Sequence, residues 1–189
     1  MKRVLVIGGP GAGKTTLSTR LGKVLGLPVV HLDAHFWRSG WRETPRPEWA
    51  DRVAVLASAE RWVMDGHYAG TLALRARAAD AVVVLAPPRL TCAARLVRRG
   101  LRDRGRQRVD LAPGCAEQVP PWAFLREAWS FAATEVPVAL AVMAGPEAAR
   151  PDGTRARVVV LRSVTEAKRF VADACQWAEQ AQAGYATFE

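Results

Sequence analysis

Lysine is scarce in this 189-residue chain: Lys2, Lys14, Lys23 and Lys168 are the only four among 27 basic residues, the rest being arginine, and 18 acids leave a formal net charge of +9. So strong an arginine bias reads as GC-rich coding. The basic excess itself has two readings, a polyanionic partner such as nucleic acid or small phosphorylated ligands. Cysteine is equally sparse. Cys92, Cys115 and Cys175 are odd in number, far apart and outside any CxxC pattern. That excludes a disulfide framework and a zinc site, and leaves the thiols of a reducing, cytoplasmic setting. No stretch approaches the roughly 18 consecutive apolar residues of a membrane span. The most apolar segment, 136–144, is about half that and contains Pro137. The short apolar run at the N-terminus has no cleavage signal behind it.

What is present is an alternation of apolar runs and helical periodicity. Val4 to Ile7 reads as a strand buried on both faces. Residues 14–25 carry Leu17, Leu21 and Val24 at helical spacing, and Gly26 ends that helix. Residues 28–32 predict a second strand stopped by Asp33, and 35–47, rich in Trp, Gly, Pro and Arg, a loop or lid. A helix over 48–59 is expected to bury Trp49, Val53 and Leu56. Further strands are expected at 61–64, 81–86 and 157–161, and helices at 71–79, 89–101, 121–144 (kinked or broken at Pro137) and 165–183, the last capped by Thr165. Trp122, Trp129 and Trp177 are expected in the core. Strand–helix alternation implies an α/β fold with a five-stranded parallel sheet and helices on both faces. A chain of this length buries roughly 70% of its unfolded surface, enough for one domain without a covalent staple.

Gly8-Gly9-Pro10-Gly11-Ala12-Gly13-Lys14-Thr15 satisfies GxxxxGK[ST], with a buried strand before it and an amphipathic helix after it. Glycines let successive backbone N–H groups curl onto one phosphate, and the helix adds its positive dipole end. Lys14 is expected to reach the β- and γ-phosphates of ATP, Thr15 to ligate Mg²⁺, and Thr16 to continue the loop's contacts. No NKxD-type guanine motif occurs. In open α/β sheets ligands gather at the carboxyl ends of strands, where Asp33 and Asp65 stand. Asp65 ends the apolar run 61–64 in Walker B form and is read as orienting Mg²⁺, the alternative being a turn cap. Asp33 is read as a second Mg²⁺ contact or as the base toward an acceptor hydroxyl. His31 and His35, four apart, do not share a helical face if the first lies on a strand, which speaks against a zinc pair. His35 and His67 are candidates for the acceptor pocket, and so is Trp37, for which core packing is the alternative.

Residues 89–108 hold eight arginines against one acid, Asp103, a local charge of +7. Their planar forks match phosphate oxygens. Three readings stand side by side: a lid over transferring phosphates, a solvated face, or a nucleic-acid footprint. Under the first, Arg95, Arg99 and Arg104 are the candidates for contact with the phosphoryl group, and the lid spans about 99–120, opposite an acceptor-side segment of about 34–60.

Taken together, GGPGAGKTTLSTRLG, LPVVHLDAHFW, RWVMDGHY, AVVVLAPP with its arginine helix, and LRS at 161–163 resemble adenylate-kinase-like P-loop proteins. Within these they are most similar to the FlaR-related, DNA topology modulation family. The resemblance implies strand order 2-3-1-4-5, ATP with Mg²⁺ on the P-loop, an arginine lid, and Arg162 and Ser163 framing the adenine. Where adenylate kinases have DGFPR, this chain has Asp65-Gly66-His67-Tyr68, which argues against AMP as acceptor and leaves Arg75 as the nearest replacement arginine. The expected activity is phosphoryl transfer from ATP to a small nucleoside, nucleotide or metabolite by a monomer or homodimer. A nucleotide-dependent regulator acting on DNA or RNA is the alternative.

Overall fold

The computed structural model describes residues 1–185, with side chains to Ala174. The chain runs β1 (Arg3–Gly8), α1 (Lys14–Leu25), β2 (Val29–His31), α2 (Leu32–Phe36), β3 (Trp37–Arg38), β4 (Arg42–Glu43), α3 (Arg46–Ser58), β5 (Trp62–Asp65) and a 3-10 turn (Ala69–Thr71). It continues through α4 (Leu72–Ala78), β6 (Ala81–Leu85), α5 (Arg89–Arg102), α6 (Trp122–Ala144), a second 3-10 turn (Pro146–Ala148), β7 (Arg157–Leu161) and α7 (Val164–Tyr185).

Five strands form one parallel sheet in the order β2-β5-β1-β6-β7. The expected order 2-3-1-4-5 is thereby renumbered. Residues 35–47 are not a structureless loop: α2 ends there, and β3 and β4 pair as an antiparallel hairpin that takes the third and fourth places in chain order. Register places Asp65 beside Val6 of β1 on one side and His31 of β2 on the other. The ends of β2 and β5 therefore meet beside β1 at one carboxylate.

The side-chain period of two divides β1 between two cores. Leu5 and Ile7 join Trp62, Met64, Val53, Leu72 and Phe131 beneath α3, α4 and α6. Val4 and Val6 join Val63, Val83, Leu17 and Leu21 beneath α1 and α7. Each fully buried aliphatic or aromatic side chain contributes about 1.5–3 kcal/mol of transfer free energy, which is why the short strands hold without exposed partners. A third, small cluster of Leu111, Ala112 and Cys115 packs under Trp37 and Trp41. It joins the segment between α5 and α6 to the β3–β4 hairpin.

Several expectations are corrected. The second strand stops at His31, so Asp33 lies in the first turn of α2 rather than at a strand end. The helix through Pro137 continues unbroken from Trp122 to Ala144. Trp122 and Trp129 are 77% and 39% exposed, because α6 turns its apolar stripe of Ala128, Phe131, Val136, Ala139 and Met143 inward and leaves them outside it. Trp177 and Cys175 lie outside the residues whose side chains are described. Ser163, not Thr165, caps α7: its Oγ accepts from the Glu166 N–H at 3.1 Å, while Glu166 Oε2 accepts from the Arg162 N–H at 2.8 Å. The pair resembles a capping box, with the carboxylate reaching one residue further back, to the N–H before the cap.

Candidate active site

The loop between β1 and α1 is shaped by its glycines. Gly11 has φ 74°, and a Cβ there would sit 2.4 Å from the Cys92 carbonyl oxygen, so only glycine fits. Gly9 passes directly under Phe131, at a distance that leaves no room for a side chain. The Lys14 ammonium donates to the Gly9 carbonyl at 3.1 Å, folded back over its own loop. Burial lowers its pKa, and the carboxylates of Asp33 and Asp65 partly restore it. Arg95, from α5, donates through Nη1 to the Ala12 and Gly11 carbonyls at 3.2 and 3.4 Å. Two cations thus converge on a backbone cradle at the N-terminus of a 12-residue helix, the arrangement that binds phosphate.

Two carboxylates, Asp33 and Asp110, line the cleft at this cradle, and a third, Asp65, lies buried behind them. Asp65 is buried at the end of β5, and its Oδ2 accepts from His31 Nδ1 at 2.8 Å. That hydrogen bond is the main reason the His31 pKa is raised, with further contributions from the charges of Asp65, Asp110 and Asp33. Asp33 accepts a 2.6 Å hydrogen bond from the Tyr68 hydroxyl. Burial, then the Asp33 charge, pushes the Tyr68 phenol well above its usual range, so it stays protonated and donating. Tyr68 has φ 36°, uncommon for an aromatic residue. It is held there by Phe36 and Trp49, each 4.8 Å away between ring centroids. Asp110 is brought by the segment that follows α5. Its Oδ2 accepts from Thr15 Oγ1 at 2.8 Å, and it is buried.

The same segment forms an ionic chain. Arg108 pairs with Asp110 through Nε at 2.9 Å and through Nη2, and with Glu117 through Nη1 at 2.8 Å. Arg99 donates to Glu117 at 3.0 Å. Both carboxylates are buried, so each guanidinium offsets a desolvation cost that neither acid would bear alone. The hydrogen bonds from Gly40 N to the Gly114 carbonyl at 3.2 Å and from Trp41 Nε1 to the Ala116 carbonyl at 3.2 Å fasten the segment to the hairpin.

These pieces enclose a cleft of about 740 Å³. The expected residues Gly8, Gly11, Gly13, Lys14, Thr15, Thr16, Asp33, Trp37, His67, Tyr68, Arg95 and Arg99 line it. Others do not. Arg104 is exposed and borders a separate hollow with Gly105 and Gln118. His35 has its carbonyl bound by Arg52 and does not reach the cleft. Gly66 is turned beneath Leu32 and Tyr68. Arg75 is buried, donating to the carbonyls of Gly66, His67, Tyr68 and Thr71, so it organises the turn after Asp65 instead of facing the cleft. Ala12 and Ser163 border a second hollow of about 230 Å³ between α1 and α7, whereas Arg162 does not.

Asp110, Arg108, Glu117 and Phe131 were not singled out from the sequence. A signal was present for the first: Asp110 is the sole acid between Arg104 and Ala116, immediately behind the arginine run. Thr15 Oγ1 and Asp110 Oδ2, 2.8 Å apart, are hard oxygen donors of the kind Mg²⁺ takes alongside phosphate oxygens. Among the described residues no group of three or more His, Cys, Asp or Glu forms a cage for a metal by itself. The same residues contain no helix long and apolar enough to cross a membrane.

The AAA_18 family model, described as AAA domain, matches residues 4–112. No curated protein matches the sequence. Among solved structures, shikimate kinase from Acinetobacter baumannii in complex with shikimate superposes with TM-score 0.55 at 18% identity, covering 96% of this chain and 95% of that one. A sugar kinase from a Janibacter species superposes with TM-score 0.50 at 17% identity, covering 95% of each chain. At such identities the likeness concerns the fold.

Proposed function

The chain belongs to the AAA domain family of P-loop proteins, and from that premise we propose that it is an ATP-dependent phosphotransferase acting on the hydroxyl of a small molecule. The observation that carries this reading is the cleft in which Lys14 and Thr15 face Asp33. A simple nucleotide binder needs the first two; a carboxylate in the same cleft, oriented by a 2.6 Å hydrogen bond from the Tyr68 phenol, adds a group able to take a proton from an acceptor hydroxyl. The shared fold with a shikimate kinase and a sugar kinase supports transfer to a hydroxyl. The finer assignment, to the adenylate-kinase-like group and its FlaR-related members, rests on the HLD-x-x-x-W and DG-x-Y segments, and we keep it as part of the proposal.

In this reading the P-loop amides and Lys14 hold the β- and γ-phosphates of ATP, and Arg95 adds positive charge at the loop's edge. The hollow beside Ser163 is open to the base. Thr15, with Asp65 acting directly or through water, would hold Mg²⁺, which when bound would neutralise phosphate charge. The acceptor lies against Trp37, His67 and Tyr68. Its hydroxyl oxygen attacks the γ-phosphorus, the bond to the β–γ bridging oxygen breaks, ADP leaves, and the hydroxyl proton passes to Asp33. Enclosure beneath residues 103–118 keeps water from competing.

Incubation with γ-labelled ATP and a panel of nucleosides, nucleotides, sugars and hydroxy acids should label one class of acceptor, and Asp33→Asn should abolish that transfer while leaving ATP affinity within about twofold. ATP binding without transfer to any member of a broad panel would refute the kinase reading.

A further inference from the structure

The segment between α5 and α6 brings a carboxylate onto the P-loop hydroxyl. Thr15 Oγ1 donates to Asp110 Oδ2 across 2.8 Å, and Asp110 is itself buried. A P-loop hydroxyl that lends a lone pair to a cation must send its proton elsewhere, and here the acceptor for that proton is in place. A carboxylate this close to a ligand oxygen is also within reach of the cation's own shell, directly or through one of the waters that Mg²⁺ retains.

Charge makes the arrangement conditional. Triphosphate seated on the loop would bring several negative charges next to Asp110 in a partly desolvated cleft, where like charges repel strongly. Arg108 does not remove the problem, because its guanidinium is shared between Asp110 and Glu117. A divalent cation between phosphate and carboxylate does. We propose that Asp110 is a component of the P-loop cation site, supplied by residues 103–118, so that nucleotide together with Mg²⁺ holds this segment closed and nucleotide alone drives it away. The donor chemistry fits, since every oxygen involved is hard, and Mg²⁺ ordinarily takes one or two carboxylates plus phosphate oxygens. This rests on the nucleotide reading above, extending it to a residue outside the P-loop and the strand ends.

The test is calorimetric titration of ATP into the full chain with Mg²⁺ or with EDTA, alongside Mn²⁺ affinity measured by electron paramagnetic resonance in the presence of ADP. Wild type should bind ATP at least about tenfold more tightly with Mg²⁺. In Asp110→Asn that advantage should shrink towards unity, metal-free ATP should bind more tightly than to wild type, and Mn²⁺ affinity should fall about tenfold or more. Asp110→Ser is a second uncharged variant should the amide disturb folding. Arg108→Gln, which breaks the pair but keeps the carboxylate, should retain the Mg²⁺ advantage. If folded Asp110→Asn and Asp110→Ser keep the wild-type advantage and Mn²⁺ affinity, Asp110 is only Arg108's structural partner and the proposal is overturned. Wild-type protein that binds no ATP at all would instead overturn the nucleotide reading and this proposal with it.

Discussion

Arg75 Nη1 donates to the carbonyl oxygen of Gly66 across 2.8 Å, so a fully buried cation on α4 holds the turn that follows the Asp65 strand. Its Nε reaches both the carbonyl and the hydroxyl of Thr71 at 3.2 Å, and its Nη2 reaches the carbonyls of His67 and Tyr68. Burial pulls its pKa down to about 9, still high enough to leave it charged at neutral pH. Arg75→Leu removes every one of these donors and strips the Gly66 and His67 carbonyls of the guanidinium that holds them, while the Tyr68 carbonyl keeps only Thr71. The expected loss is about 3 kcal/mol or more in urea denaturation. Were Arg75 an acceptor contact, the substitution would leave stability near wild type and raise only the acceptor KM.

Gly114 fastens the segment over the cleft to the hairpin. Its φ is 80°, and a Cβ would lie 2.3 Å from Ser39 Oγ, while its carbonyl accepts from Gly40 N at 3.2 Å. Gly114→Ala therefore meets both a left-handed backbone penalty, about 1–2 kcal/mol, and a clash that Ser39 must yield to. Limited trypsin digestion should cut at the exposed Arg104 and Arg106 several-fold faster in this variant than in wild type. Equal cleavage rates would mean that the latch lies elsewhere.

A ligand that binds only the native state stabilises it by about 2.7 kcal/mol at one hundred times Kd. Mg²⁺–ATP should raise the melting temperature of wild type, and Lys14→Ala should lose most of that rise. Arg104→Ala should keep it in full, because Arg104 is exposed and does not line the cleft. A Lys14→Ala variant with an undiminished shift would contradict the phosphate assignment.

Asp80 anchors the start of β1. Its Oδ2 accepts from the N–H groups of Lys2 and Arg3 at 2.6 and 3.0 Å. Partial burial alone would raise its pKa, but these hydrogen bonds and nearby positive charge lower it overall. A depressed folded-state pKa contributes stability above the unfolded value of about 3.9, and that contribution is lost as pH falls through the folded value. Between pH 5 and 2.5 the urea midpoint of wild type should therefore fall more steeply than that of Asp80→Asn. Parallel slopes would remove Asp80 from the acid limb.

The P-loop was legible because its requirements are local: eight consecutive residues, a strand before and a helix after, with backbone conformations that glycine supplies. The parallel sheet was legible from unbroken apolar runs such as 81–85, which suit only a strand covered on both faces. Asp33 and Asp65 stood out because apolar runs end at them. The hairpin over Trp37–Glu43 was not legible, as each of its strands has two residues and no period to detect. Arg75 and Arg104 were both arginines near a site, and nothing in their neighbours along the chain distinguished the buried one from the exposed one.

Sequence alone marked residues 8–15 as the proposed phosphate cradle, since a loop that wraps an anion with its own backbone carries that information in contiguous residues. Tertiary structure decided which charged side chains attend it. Thr15 and Asp110 are 95 positions apart and meet at 2.8 Å. Arg108 and Arg99 became half-buried ion partners of the buried Glu117, whereas Arg104 turned outward. Helix periodicity says which residues share a face, but pairing a charge across the cleft depends on how the chain returns between α5 and α6, and no local pattern encodes that path.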